Sequence, residues 1–416
     1  MGRKIFPPQI ADTEDDQQKG NDMTTAEAAP AEVDVAIIGA GMAGTTLATL
    51  LGNAGRKVAL IDPHRVHHDE FRAEKIGMQQ MELFKKLGLD KMLMPLVTPF
   101  TDIHVFRLGQ FFACEKKWEY AFSYGALING LRDALPPQVP LTVGKVTEVS
   151  TGPDRQRLVL ADGSVINARL LVVATGYSEA VRRAIGVERI ELSKAHSLSM
   201  GFDLAISPRE FAYQSINCFG KRAKDRVAYI TIFPIGNKMR ANMFVYRTVA
   251  EQWTRDFRAN PQKMLCELMP EISARCGNFE VASPVEVRQV NLTTTAGHRR
   301  DGVVFIGDAF WTTCPTPGVG IGRVMIDVDQ LHSVHIPRWL ETPGMAADKI
   351  GTFYDDPVKV ASDEGGMRAS IYAKRITTET GLEWRARRLR NNTARRLMII
   401  SRKVRHLGPR RAPGIA

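Results

Sequence analysis

No stretch of the chain approaches the ~18 consecutive uncharged apolar residues that a bilayer-crossing helix needs. Cysteine is scarce as well. The five in 416 residues (Cys114, Cys218, Cys266, Cys276 and Cys314) are odd in number and form no C-x-x-C pair. Neither a disulfide framework nor a zinc site is expected, and the chain reads as one kept reduced in the cytoplasm. Met1 to Glu32 has no apolar h-region, so export is not expected. Its sixth residue is Phe, which misses the myristoylation pattern. With too little apolar surface to offset ordering entropy, residues 1–32 are expected to be a disordered leader.

Charge of one sign is missing from most of the chain. Between Lys374 and Ala416 thirteen Lys and Arg stand against Glu379 and Glu383, a surplus equal to the whole net charge of +11. The protein is a neutral body with a basic tail. No base-reading module accompanies that charge, so nucleic acid is not an expected partner. His64, His67 and His68 cluster, and His332 and His335 lie three apart, but no Cys or carboxylate joins them at ligand spacing. No metal site is expected there.

What is present begins at Val33. Val-Asp-Val-Ala-Ile-Ile is the nearly unbroken apolar pattern of a strand buried in a parallel sheet. Gly39-Ala40-Gly41-Met42-Ala43-Gly44 follows, then a helix rich in Thr, Leu and Ala, a strand from Lys57 to Ile61, and Asp62, 23 residues after Gly39. A lone G-x-G-x-x-G means little, but between a buried strand and a helix, answered by an acid, it signals a dinucleotide. Gly39 would make the tight turn, Gly41 would admit a pyrophosphate to the backbone, and Gly44 would let helix and strand pack closely. The pyrophosphate would sit on the helix N-terminus, and Asp62 would accept from an adenosine ribose.

A second buried strand, Val303-Val304-Phe305-Ile306, ends in Gly307-Asp308 and is followed by Cys314-Pro315-Thr316-Pro317-Gly318-Val319-Gly320 and a helical run to Asp327-Val328. Together the two motifs resemble the class A FAD-dependent monooxygenases, the p-hydroxybenzoate hydroxylase-like flavoproteins, across Val33 to Leu331. The resemblance implies an α/β fold: a Rossmann-type FAD-binding domain, a parallel sheet with helices, carrying an inserted β-rich substrate domain. It implies one FAD, with Gly307 and Asp308 at its ribityl and pyrophosphate region. Arg72 would lie near the flavin, and the Pro315, Gly318 and Gly320 loop would run under the ring. It also implies NADH or NADPH as a transient reductant, and transfer of one oxygen atom from a flavin C4a-hydroperoxide to a small, aromatic or lipophilic substrate.

The expected layout is the leader over 1–32, the FAD-binding domain over 33–192 and 291–345, the insert over 193–290, and a helical basic tail over 346–416. Some positions depart from the family. Its Asp-Gly motif becomes Thr175-Gly176, a loop Asn becomes Gly322, and an Arg ahead of a long helix becomes Tyr124 or Gly125. Val227–Pro234 partly resembles a prenyl-reductase segment. Two alternatives therefore stay open: a flavin-dependent reductase or dehydrogenase without oxygen insertion, and a non-catalytic flavin-binding interaction protein. No general base stands out, so no catalytic residue is assigned.

In the tail, Leu382, Ala386, Leu389, Thr393, Leu397, Ile400 and Val404 form a stripe spaced by three and four, with arginines around it. It would pack on the body, lie on an anionic membrane surface as a peripheral contact, or leave residues 374–416 to receive an acidic carrier protein.

Overall fold

A computed structural model describes residues 30–276 and 279–407, with backbone alone at 399 and from 401 onward. The expected leader lies outside the described residues up to residue 29.

The apolar runs form a parallel sheet in the order Leu141–Val143, Val58–Asp62, Ala31–Ile38, Val165–Val173. Val35 to Ile38 are buried on both faces, which is why they show no polar alternation. The helix Met42–Asn53 makes the crossover between Ala31–Ile38 and Val58–Asp62. The outer edge of Val165–Val173 is divided. Gln156–Leu160 pairs antiparallel along its first half, and Val303–Phe305 pairs parallel along its second. Ile38 and Phe305 both register on Val173, so the glycines after these strands emerge at one level, on either side of Val165–Val173. Ligands of open α/β sheets bind at such a crevice, outside the carboxyl ends of the strands.

The second sheet has eight strands, in the order Glu286–Ala296, Glu188–Leu204, Lys238–Val245, Val227–Ile235, Ser215–Phe219, Thr98–Arg107, Gln110–Ala121, Lys75–Gly77. It is not confined to 193–290. Three strands come from residues 75–121, and position 193 falls inside a strand. A hairpin at Leu108-Gly109, both with positive φ (54° and 76°), joins Thr98–Arg107 to Gln110–Ala121 in the manner of a type I′ turn. The helical part of this region is split into Gln252–Ala259, Pro261–Leu268 and Pro270–Cys276. Each break falls where a proline, unable to donate to the preceding turn, starts the next helix. Phe257, Leu265 and Ile272 on these helices join the apolar core of the second sheet.

The C-terminal region is not one tail. The helix Pro357–Thr378, capped by Asp356, buries Lys359, Asp363 and Ser370 in the body. Only Leu382–Leu407 stands apart, and its apolar stripe faces outward: Leu382, Leu389, Leu397 and Ile400 are 82%, 68%, 61% and 57% exposed. Among the described residues the stripe does not pack on the body. Trp384 does so instead, buried against Tyr372, with Arg375 and Arg387 over its ring. Among the described residues no helix is long and apolar enough to cross a membrane.

Candidate active site

The three glycines of the first turn have different reasons to be glycine. Gly39 has φ +103°, and a Cβ there would meet the Ala174 carbonyl oxygen at 2.6 Å. A Cβ on Gly44 would lie 1.8 Å from the Gly39 oxygen. The protein's own packing requires both. At Gly41 a Cβ would meet nothing within 4 Å, so packing does not explain that glycine. It opens a space in front of the helix Met42–Asn53, which has no side-chain cap and whose first N–H groups lack intrahelical partners. Thr175, against Gly39, holds a buried hydroxyl with no hydrogen-bond partner among the described residues. An open cradle, free amides and an unpaired hydroxyl fit a dinucleotide pyrophosphate.

Asp62 lies at this turn but is largely engaged. Its carboxylate accepts from the amides of Ala40 (2.9 Å) and His64 (3.0 Å) and is 3.1 Å from an Arg132 nitrogen. A carboxylate offers about four lone-pair positions, and the two amides leave room for a hydroxyl of the expected ribose. Arg132 was not legible as a site residue, because a single arginine on the helix Tyr124–Asp133 carries no motif. Buried to 6% exposure, it also donates to the carbonyls of Ala40 and His64 at 2.8 Å, clamping the turn.

Arg72 and Asp308, 236 positions apart, meet at 2.9 Å. Arg72 is also 3.3 Å from Glu70, which accepts from Arg288 at 3.1 Å and contacts His67 at 3.3 Å. Burial works to raise the Glu70 carboxyl, but His67, Arg72 and Arg288 together hold it down at about 2. The Tyr177 ring lies 5.3–5.9 Å from three guanidinium groups, those of Arg72, Arg189 and Arg288. Burial, with Asp308 beside it, pushes its hydroxyl up to about 12. Tyr177 therefore stays a neutral hydrogen-bonding group at physiological pH.

These groups open into a cavity of about 530 Å³ between the crevice and the second sheet. Met42, Arg72, Asp308, Pro315, Gly318 and Gly320 line it. Gly39, Ala40, Gly41, Ala43, Gly44 and Asp62 form the neighbouring turn. Gly307, with φ +57°, is held from behind by the hydrogen bond its backbone N–H donates to the Asp327 carboxylate at 2.8 Å. The second sheet contributes groups that carried no sequence signal. Lys75 donates to Glu119 at 2.6 Å and Thr231 at 3.2 Å, and burial lowers its ammonium from the usual lysine range against the pull of Glu119. Among the described residues, the side-chain oxygens of Asn217 and Asn242 are buried without a donor. Buried acceptors left unpaired cost stability, and a ligand bearing O–H or N–H would relieve that cost.

The profile of the FAD binding domain family matches residues 32–334. The chain is 23% identical over 278 residues to the ubiquinone hydroxylase UbiM of Neisseria meningitidis, covering 61% of this chain but only 57% of that protein's length. It is also 23% identical over 367 residues to the squalene epoxidase erg1 of Aspergillus fumigatus, covering 82% of this chain and 74% of the other. Among solved structures, p-nitrophenol 4-monooxygenase PnpA of Pseudomonas putida shares the fold with a TM-score of 0.70 and 16% identity, over 92% of this chain and 100% of that one. The turn at Gly39–Gly44 and the Gly307-Asp308 strand end lie within the matched span, and the chain belongs to the FAD binding domain family.

Proposed function

We propose that this chain is an FAD-dependent monooxygenase, reduced by NADH or NADPH, that hydroxylates a small aromatic or lipophilic molecule. The observation that carries this reading is the cavity itself. It is bounded by the Arg72–Asp308 pair and the Pro315–Gly320 loop on one side, and by Asn217, Asn242 and the rings of Phe219, Tyr229 and Phe244 on the other. FAD, when bound, would take electrons from the nicotinamide and activate dioxygen. The chain supplies placement. The open space at Gly41 and the free helix amides would take the pyrophosphate, and the Arg72–Asp308 pair would face the flavin end. Apolar rings would keep water from the reacting atoms, while the Asn217 and Asn242 oxygens would orient a substrate O–H or N–H. Among the described residues there is one dinucleotide turn of this kind, so the nicotinamide would visit the flavin rather than occupy a domain of its own.

The test is turnover of the full-length, FAD-loaded protein with panels of phenols and lipophilic quinols, under labelled dioxygen. A compound that accelerates NADH or NADPH oxidation at least tenfold, and gains one labelled oxygen atom, is the expected result. Accelerated oxidation with an unlabelled product would replace this reading with the reductase. Bound FAD with no accelerating compound would leave the flavin-binding interaction protein.

The outward stripe favours an anionic bilayer as the surface against which the protein works. Exposed Leu389, Leu397 and Ile400 are flanked by exposed Arg385, Arg390 and Arg396. Each such cation adds about 1 kcal/mol near an anionic leaflet. Full-length protein is expected to sediment with phosphatidylserine vesicles at low salt and to be released at high salt. Leu389→Gln/Leu397→Gln should stay in solution. Equal sedimentation of both proteins, or of neither, would remove the bilayer from the reading.

A further inference from the structure

Beyond Trp384, the face of Leu382–Leu407 that meets the body is polar. Arg388, Asn391, Asn392 and Arg395 are half-buried there and border a second cavity of about 300 Å³, with Arg107 and Phe219 of the second sheet also in its wall. Lys221 and Arg222 line it too, whereas no Asp or Glu does. Those last two cations are neutralised locally, Lys221 by Glu271 at 2.5 Å and Arg222 by Asp225 at 2.8 Å. The other three are not. Arg388 donates to the Ile376 carbonyl at 3.1 Å and Arg395 to the Asn392 side chain at 3.4 Å. Arg107 lies 3.4 Å over the Phe219 ring and makes no hydrogen bond or ion pair among the described residues. Burial, and then the nearby Arg395, lower its guanidinium to about 10 against the weaker pull of Glu115, which lies outside the cavity wall. Three half-buried guanidinium groups around one space, with no carboxylate among them, are stabilised by an anion that enters it.

This space adjoins the first cavity. Phe219, Tyr229 and Thr316 line both. The partition is a ring contact of 5.4 Å between Phe219 and Tyr229, and a hydrogen bond of 3.0 Å from the Tyr229 hydroxyl to the Thr316 carbonyl. Thr316 belongs to the loop that also carries Pro315 and Gly318. A swing of one tyrosine would join the two volumes.

We propose that the second cavity seats the anionic head of an amphiphilic substrate, a phosphate or carboxylate, while its apolar body passes the Phe219–Tyr229–Thr316 partition into the first cavity. The inference rests on the monooxygenase reading for its chemistry, but its test reads binding alone. Failure of hydroxylation and failure of this inference are therefore separable.

The FAD-loaded full chain is titrated by calorimetry with octyl phosphate, octanol and inorganic phosphate, and the flavin absorbance is followed in parallel. Octyl phosphate should bind at least tenfold more tightly than either of the others and should perturb the flavin spectrum. Arg107→Gln should abolish that tenfold preference without changing octanol affinity. Arg395→Gln, on a half-exposed helix face, should do the same should the first variant fold poorly. Equal affinity for octyl phosphate and octanol would overturn the proposal, as would variants that keep the preference. Inorganic phosphate binding as tightly as octyl phosphate, with an unchanged flavin spectrum, would mark an isolated anion site and overturn it equally.

Discussion

The Gly41→Val protein is expected to fold normally and to be purified without colour. Gly41 has φ −83° and ψ −164°, an extended conformation that valine adopts readily. Its new side chain would meet no protein atom near the Cβ, so the apo fold should lose less than about 1 kcal/mol. What the side chain would occupy is the space in front of the free amides of Met42–Asn53. A pyrophosphate displaced from those amides should cost at least roughly 100-fold in FAD affinity, about 2.8 kcal/mol. Gly44→Ala makes the contrast. Its Cβ would collide with the Gly39 oxygen at 1.8 Å, so that variant should lose both flavin and melting temperature. Flavin absorbance per protein, with a melting curve of the flavin-stripped form, separates the two. Full FAD content in Gly41→Val would mean that the pyrophosphate lies elsewhere.

The parts of this site that could be read from sequence are those where one local pattern serves one physical task. Val35 to Ile38 are apolar because both faces of the sheet are covered. Gly39 and Gly44 are glycine because neighbouring backbone forbids a Cβ, and such demands leave letters at fixed spacings. Asp308 was visible at the end of a strand, Arg72 only through the family resemblance, and their direct pairing through neither. The groups around them are tertiary products. Glu70, Arg288 and Tyr177 come from segments with no common motif, and Arg132 is one arginine on an ordinary helix. The hairpin at Leu108-Gly109 was hidden because Leu stands where Asn or Asp normally marks a left-handed turn position. That in turn hid two long strands and drew the second domain too small. The tail helix misled differently. Its apolar stripe was correctly placed on one face, but burial follows what the body offers, and the body offers Tyr372 to Trp384 and a cavity to Arg388 and Arg395.

Lys359→Met should be the most destabilising single change in the C-terminal region. The Lys359 ammonium, 1% exposed, lies 2.8 Å from Asp327 and 3.0 Å from Asp363. Asp363 has a second cation, Arg323, at 2.9 Å from its Nε. Among the described residues Asp327 pairs directly with Lys359 alone, Arg323 acting on it only from farther off, and its other oxygen holds the Gly307 amide. Methionine would fill most of the space of the lysine stem beside Phe310 and Phe353, where the ammonium now lies within 4.7 Å of both rings. The loss is therefore one of charge rather than volume. Removing one partner of a buried pair strands the other, at about 3–5 kcal/mol, a large fraction of the 5–15 kcal/mol that typically holds a domain together. Because Asp327 anchors the turn carrying Asp308, FAD retention should fall with stability. Urea unfolding of the FAD-loaded wild type and variant measures the first, and flavin release on dilution the second. Adding Asp327→Asn to Lys359→Met removes the stranded charge while leaving an oxygen for the Gly307 amide, so the double variant should recover more than half of the loss. A single variant within about 1 kcal/mol of wild type, or a double variant no better than the single, would show that Asp327 does not depend on Lys359.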